Sequence, residues 1–214
     1  MVSYLINILL VFEWIAFLVS LVFFKQLKTQ NLVLITVWLF VIVFSEAIGK
    51  SIKDGVLTFI TSAEWFNVMS PVQFLCLFLL FYRQTNYRYW RRIILLFCIV
   101  IAILAIVYII LPGTQKFNVL NYSLGAIFLS AVCLHYLYEC MNSRSILDIY
   151  TNTLFYLAIG ALLYYLSTLP FYSMRNYLYY KHVSIFYPYF YLSFILNITM
   201  YGLTTFGILC LNRK

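Results

Sequence analysis

The sequence predicts an all-α membrane protein, a bundle of seven transmembrane helices with the N-terminus outside and the C-terminus in the cytoplasm. Three observations carry this. The chain of 214 residues is 65% apolar and only 9% charged, against about a quarter charged residues in soluble domains. Its mean hydropathy is +0.96. Its apolar residues fall into seven runs, each close to the roughly 20 residues needed to cross a bilayer.

The expected spans are 4–24, 32–52, 66–82, 93–111, 120–140, 149–169 and 187–210. The first carries Glu13 and lacks a basic leader or a small-residue cleavage site, so it reads as a retained helix rather than a signal peptide. It ends at Lys25-Gln26-Leu27-Lys28. The second closes on Glu46 and Lys50, four apart, the order that favours an ion pair on a helix surface. The third starts near Pro71 and ends at Arg83. The fourth is the purest apolar run and is stopped by Pro112-Gly113. With only Cys98 and Tyr108 as polar handles, it is expected at the lipid-facing edge of the bundle. The fifth holds His135 and Glu139, again four apart. Pro170 stops the sixth. The seventh has no charge, but Ser193, Asn197, Tyr201 and Thr204 recur at helical spacing. They form one narrow polar stripe that should face inward. The connections are short, so all 214 residues form one expected membrane domain.

Topology follows from the basic residues. One side holds Lys25, Lys28, Arg83, Arg88, Arg91, Arg92, Arg144, Arg213 and Lys214; the other holds Lys50, Lys53, Lys116, Arg175 and Lys181. The richer side is normally cytoplasmic. The net charge of +8 therefore reflects membrane topology and is no sign of nucleic-acid binding. The five cysteines show no zinc or redox spacing. They read as small buried hydrophobes.

Several residues could carry chemistry. Glu13 lies near the centre of a span, where a charged carboxylate is expensive. Desolvation favours its neutral form. It reads either as a proton or ligand site, or as a neutral structural residue bonded to Asn197 or Gln73. With Ser193, Tyr201 and Thr204 these residues make a candidate polar core. His135 and Glu139 could relay protons, but no second His lies near enough for a metal site. On the outer side, Glu64, Trp65, Tyr172, Arg175, Tyr179, Tyr180 and His182 could form an aromatic and basic mouth for a ligand. An interfacial aromatic belt accounts for the same tyrosines. On the inner side Arg83, Arg88, Arg91 and Arg92 alternate with aromatics. They suit anionic headgroups of the bilayer, or a cytoplasmic partner. Asn121-Tyr122-Ser123 fits the glycosylation pattern but abuts the membrane. The sequence holds no phosphate loop and no nucleophile elbow. The seventh span has no Lys for a retinal Schiff base. No cofactor, no metal and no enzymatic activity are expected.

The run Ser193-Phe194-Ile195-Leu196-Asn197-Ile198-Thr199-Met200-Tyr201, with Gly207-Ile208-Leu209-Cys210, resembles the last helix of small uncharacterised membrane proteins of Bacteroidota. The overall plan is similar to the seven-helix sensor modules of bacterial kinases. The resemblance implies a bacterial inner-membrane location and a separate signalling partner. The expected function is a membrane sensor or signal relay. The alternatives are a small-molecule or proton-coupled transporter and a structural subunit of a membrane complex.

Overall fold

A computed structural model of the protein describes residues 2–58, 60–110, 117–142 and 151–211. Nine helices are found among them: α1 (Val2–Val22), α2 (Phe24–Thr29), α3 (Val33–Lys53), α4 (Ser62–Gln84), α5 (Arg88–Ile110), α6 (Val119–Asn142), α7 (Thr153–Ser173), α8 (Arg175–Lys181) and α9 (Val183–Cys210). Seven of them, all but α2 and α8, are long and apolar enough to cross a bilayer. Large apolar side chains are exposed along each of the seven, so the outer surface suits hydrocarbon. The protein is an integral membrane protein.

The long helices alternate in direction. One end of the bundle collects the start of α1, the α3–α4 connection and α8; we call it the N-terminal end. The other collects α2, the α4–α5 turn and the end of α9; we call it the C-terminal end.

Neighbouring packing closes a ring in the order α1, α3, α4, α6, α7, α9 and back to α1. The remaining long helix, α5, lies outside this ring against α4 and α6. Only Ile94 and Ile101 of α5 are buried. A helix with so few polar atoms has nothing that needs burial, and its exposed isoleucines are as stable against lipid as against protein.

Helix ends are set by local chemistry. Thr61 and Glu64 form a capping box at the start of α4, with Glu64 Oε2 accepting from the Thr61 backbone N–H at 2.8 Å. Asn118 Oδ1 accepts from the Asn121 N–H at 3.1 Å as α6 begins. Asn152 caps α7 by accepting from the Leu154 N–H at 3.0 Å.

Several sequence expectations change. Pro71 and Pro170 lie inside α4 and α7 rather than at their ends, and Pro188 lies inside α9. A proline removes one helical hydrogen bond without ending a membrane helix, because packing against neighbours holds it. The arginines flank a short turn: Arg83 is in the last turn of α4, and Arg88, Arg91 and Arg92 open α5. Polar ends of membrane helices extend past the hydrocarbon, so α4 and α9 exceed the apolar runs 66–82 and 187–210 at one end or both. Pro112-Gly113, Lys116, Arg144, Arg213 and Lys214, with the expected span limits at 111 and 149, lie outside the described residues.

The closest seam joins α7 and α9. A Cβ added at Gly160 would lie 3.1 Å from the Met200 Cα, and one at Gly207 would lie 3.0 Å from the Thr153 carbonyl oxygen. The glycines lie on opposite helices, so each lets the partner's backbone approach. Thr153 Oγ1 donates to the Gly207 carbonyl at 2.8 Å, fully buried, and bonds the two helices directly. Gly207→Val should therefore force α7 and α9 apart and destabilise the protein by about 1–3 kcal/mol. Gly202, with nothing within 4 Å of an added Cβ, should accept Ala without loss. Thermal unfolding of the two variants in detergent checks the contrast.

Candidate functional site

The ring brings α1, α3 and α9 together around Glu13. This residue is 1% exposed, yet neither carboxyl oxygen has a hydrogen-bond partner. The Tyr201 hydroxyl of α9 lies beside it, without a well-formed bond. Glu46 of α3 is its acidic neighbour. Arg175, at the start of α8, acts on Glu46 from the N-terminal end. Trp38 of α3 packs on Tyr201 with ring centroids 6.1 Å apart, and its indole N–H is buried and unbonded.

This arrangement corrects two expectations. Glu46 and Lys50 do not pair: Lys50 Nζ donates instead to Asn7 Oδ1 on α1 at 3.0 Å. Lys50 is exposed and reaches the polar end of α1, while Glu46, one turn deeper, lies within electrostatic range of Glu13. Glu13 is not bonded to Asn197 or Gln73 either. Gln73 belongs to α4, which packs on α3, α5 and α6 rather than along α1. The Asn197 side-chain oxygen is itself buried without a partner, one turn above Tyr201 on α9.

The rest of the α9 stripe is buried but bonded within its own helix. Ser193 donates to the Phe190 carbonyl at 2.7 Å and Thr204 to the Met200 carbonyl at 2.8 Å. These hydroxyls form no bonds to other helices.

Around Tyr201 the bundle interior is rich in tyrosine. Tyr165 of α7 lies within electrostatic range of Tyr201. Tyr122 of α6 donates to the Tyr164 hydroxyl at 3.5 Å, and Tyr164 lies 3.5 Å from the Tyr172 hydroxyl. Arg175 stands 4.6 Å from the Phe117 ring centroid and 5.6 Å from that of Tyr172. The hydroxyls of Tyr122, Tyr164 and Tyr172 therefore cluster between α6 and α7, with Arg175 of α8 against the Tyr172 ring. Tyr122, Tyr164 and Tyr165 are absent from the sequence-derived site. The adjacent pair Tyr164-Tyr165, deep in an apolar run, was the available signal.

The proposed outer mouth divides. Glu64 caps α4, and Trp65 Nε1 donates to the Ser45 carbonyl at 2.9 Å. Tyr172 and Arg175 turn inward. Tyr179 and Tyr180 are exposed, and His182 Nε2 lies 3.2 Å from the Tyr177 hydroxyl. These residues do not form one cleft.

A second polar cluster lies at the C-terminal end. His135 Nε2 lies 2.6 Å from Glu139 Oε1. Thr85 Oγ1 donates to Glu139 Oε1 at 2.7 Å, and the Asn86 N–H donates to Oε2 at 3.2 Å. Trp90 stacks on His135 at 4.0 Å between centroids, and Arg91 Nε donates to the Thr85 carbonyl at 2.9 Å. Glu139 thus fastens the α4–α5 turn to α6. Arg83, Arg88, Arg91 and Arg92 remain exposed around it.

Among the described residues no group of three or more His, Cys, Asp or Glu could hold a metal ion. Comparison with protein-family models, curated proteins and solved structures finds no match.

Removing the Glu139 carboxylate leaves the hydroxyl of buried Thr85 unmet, at about 1–3 kcal/mol, and removes the acceptor of the exposed Asn86 N–H. Glu139→Ala should therefore release the turn. Hydrogen exchange of the amides from Thr85 to Arg91 should rise, with little change in α7 and α9.

Proposed function

We propose that the protein is a proton-responsive signal relay of a bacterial inner membrane, not an enzyme, with its N-terminal end outside and its C-terminal end toward the cytoplasm. The observation that carries this reading is the Glu13 carboxyl, buried at 1% exposure with no hydrogen-bond partner and with a second carboxyl as neighbour. A structural glutamate in hydrocarbon is normally bonded to a neighbouring helix. An unbonded one is matched to a change of state.

In this reading Glu13 carries its proton in the resting bundle, because an unpaired carboxylate there costs several kcal/mol or more. Loss of the proton places charge against Glu46 and recruits the Tyr201 hydroxyl as a donor. The groups facing the pair are Tyr201 on α9, Tyr165 on α7 and Arg175 on α8. The charge drives α1 from α3 and toward α9. Helix α1 leads into α2 at the C-terminal end. There Gln84 Nε2 donates to the Gln30 carbonyl at 3.0 Å, linking the α2–α3 turn to the end of α4 beside Arg83. A cytoplasmic partner or anionic headgroups would read the change at Arg83, Arg88, Arg91 and Arg92. Among the described residues these four, with Lys25 and Lys28, outnumber Lys50, Lys53, Arg175 and Lys181 at the other end. The bias supports the orientation.

One observation favours a proton-coupled carrier instead. Ser45 Oγ and Trp38 Nε1 on α3, the helix of Glu46, and Asn197 Oδ1 on α9 are also buried and unbonded. Such groups suit a path for protons.

The two readings separate in one preparation. With 5-fluorotryptophan at the four tryptophans, the 19F resonance of Trp38 should move with pH. Glu13→Gln should abolish that movement while the protein still folds. The same protein in liposomes should pass no protons beyond protein-free controls. Proton flux abolished by Glu13→Gln would establish the carrier, and a Trp38 resonance insensitive to both pH and Glu13→Gln would remove both readings.

A further inference from the structure

Away from the carboxyl pair, the N-terminal ends of α4 and α6 enclose a cavity of about 10 Å³. Its polar lining is Asn67, Ser70, Asn118 and Asn121, closed by aromatic residues including Phe74 and Phe117. Two of these asparagines are engaged with each other: the Asn118 N–H donates to Asn67 Oδ1 at 2.7 Å, and Asn118 Oδ1 accepts from the Asn121 N–H at 3.1 Å. The side chain of Asn121 differs. It is 3% exposed, and both its Nδ2 and its Oδ1 are buried without a partner.

A primary amide brings two donor hydrogens and one acceptor oxygen. Leaving such groups dry is unfavourable, and the cavity beside them matches the roughly 10–15 Å³ that one water occupies by this measure. No organic ligand fits. A bare cation would meet the Nδ2 donors as well as the oxygens, and no carboxylate lines the space. Water both donates and accepts, as Asn121 requires. We propose that this cavity is a binding site for one ordered water, bonded to the Asn121 amide on α6 and to the Ser70 hydroxyl of α4. The water would bond α4 to α6 where Phe74 and Tyr122 otherwise meet by ring contact, with centroids 5.6 Å apart.

The test is a high-resolution density map of the full chain in a lipidic phase, with Asn121→Leu beside it. The expected result is a solvent peak about 2.7–3.2 Å from an Asn121 amide atom and from the Ser70 hydroxyl, lost in Asn121→Leu. An empty cavity would overturn the proposal. So would an Asn121 rotamer bonded directly to protein, or a peak with oxygen contacts at the roughly 2.3–2.6 Å of a bound cation such as calcium. Each overturning outcome is read on the wild-type map, so the test stands even if the variant folds poorly.

Discussion

Hydrocarbon offers no hydrogen bonds, and this constraint shapes the whole bundle. Each buried polar group must find its partner within the protein. Several serine and threonine hydroxyls meet the demand locally. Ser20, Ser130, Thr168, Ser193, Thr199, Thr204 and Thr205 all donate to a carbonyl three or four residues earlier in their own helix. Such bonds do not hold helices together. The packing between helices comes mainly from close apolar contact, with direct bonds at a few points, such as Thr153 to the Gly207 carbonyl at the tightest seam and Trp65 to the Ser45 carbonyl. Against this background, the groups left unbonded stand out: Glu13, Asn121 and the oxygen of Asn197 among them.

The distribution of rigid and soft contacts bears on how a signal could cross. The α7–α9 seam is fixed by two glycines that leave no room for a side chain. At the C-terminal end Glu139 holds the α4–α5 turn to α6. Helix α1 has no comparable fastening beside Glu13. Its side chains meet α3 and α9 through rings and aliphatic groups, such as the Phe17–Phe40 pair at 5.9 Å, and through the peripheral Lys50–Asn7 bond. A change of charge at Glu13 therefore acts on a ring helix that no direct bond fastens beside that residue. That is the physical basis for placing the switch at α1 and its readout where α2 meets the end of α4.

The seven spans were legible because each is a long apolar run, and the peripheral place of α5 was legible because Ile93 to Ile110 offers almost nothing that needs burial. The His135–Glu139 spacing also pointed to the contact found. Partners between helices were not legible, since the order around a ring depends on loop paths and side-chain shape. Glu46 illustrates this. Its spacing to Lys50 favours a pair, yet Asn7 on a different helix captures Lys50, and Glu46 is left facing Glu13. Pro71 and Pro170 misled for a related reason: in a membrane a proline inside a helix is tolerated when neighbouring helices hold it. The tyrosine interior escaped notice because tyrosine is common at membrane interfaces, and composition cannot tell a belt from a core.

The central claim is that Glu13 sits in the bundle as a neutral acid poised to lose its proton. Infrared absorption of the folded protein tests it most directly, since a protonated carboxyl has a C=O stretch apart from those of carboxylates and amides. The account predicts such a band at neutral pH, shifted by deuterium exchange, decreasing as the pH is raised, and removed by Glu13→Gln. A spectrum in which Glu13→Gln removes no protonated-carboxyl band would contradict it, because Glu13 would then be ionised in the resting state and no proton switch would reside there.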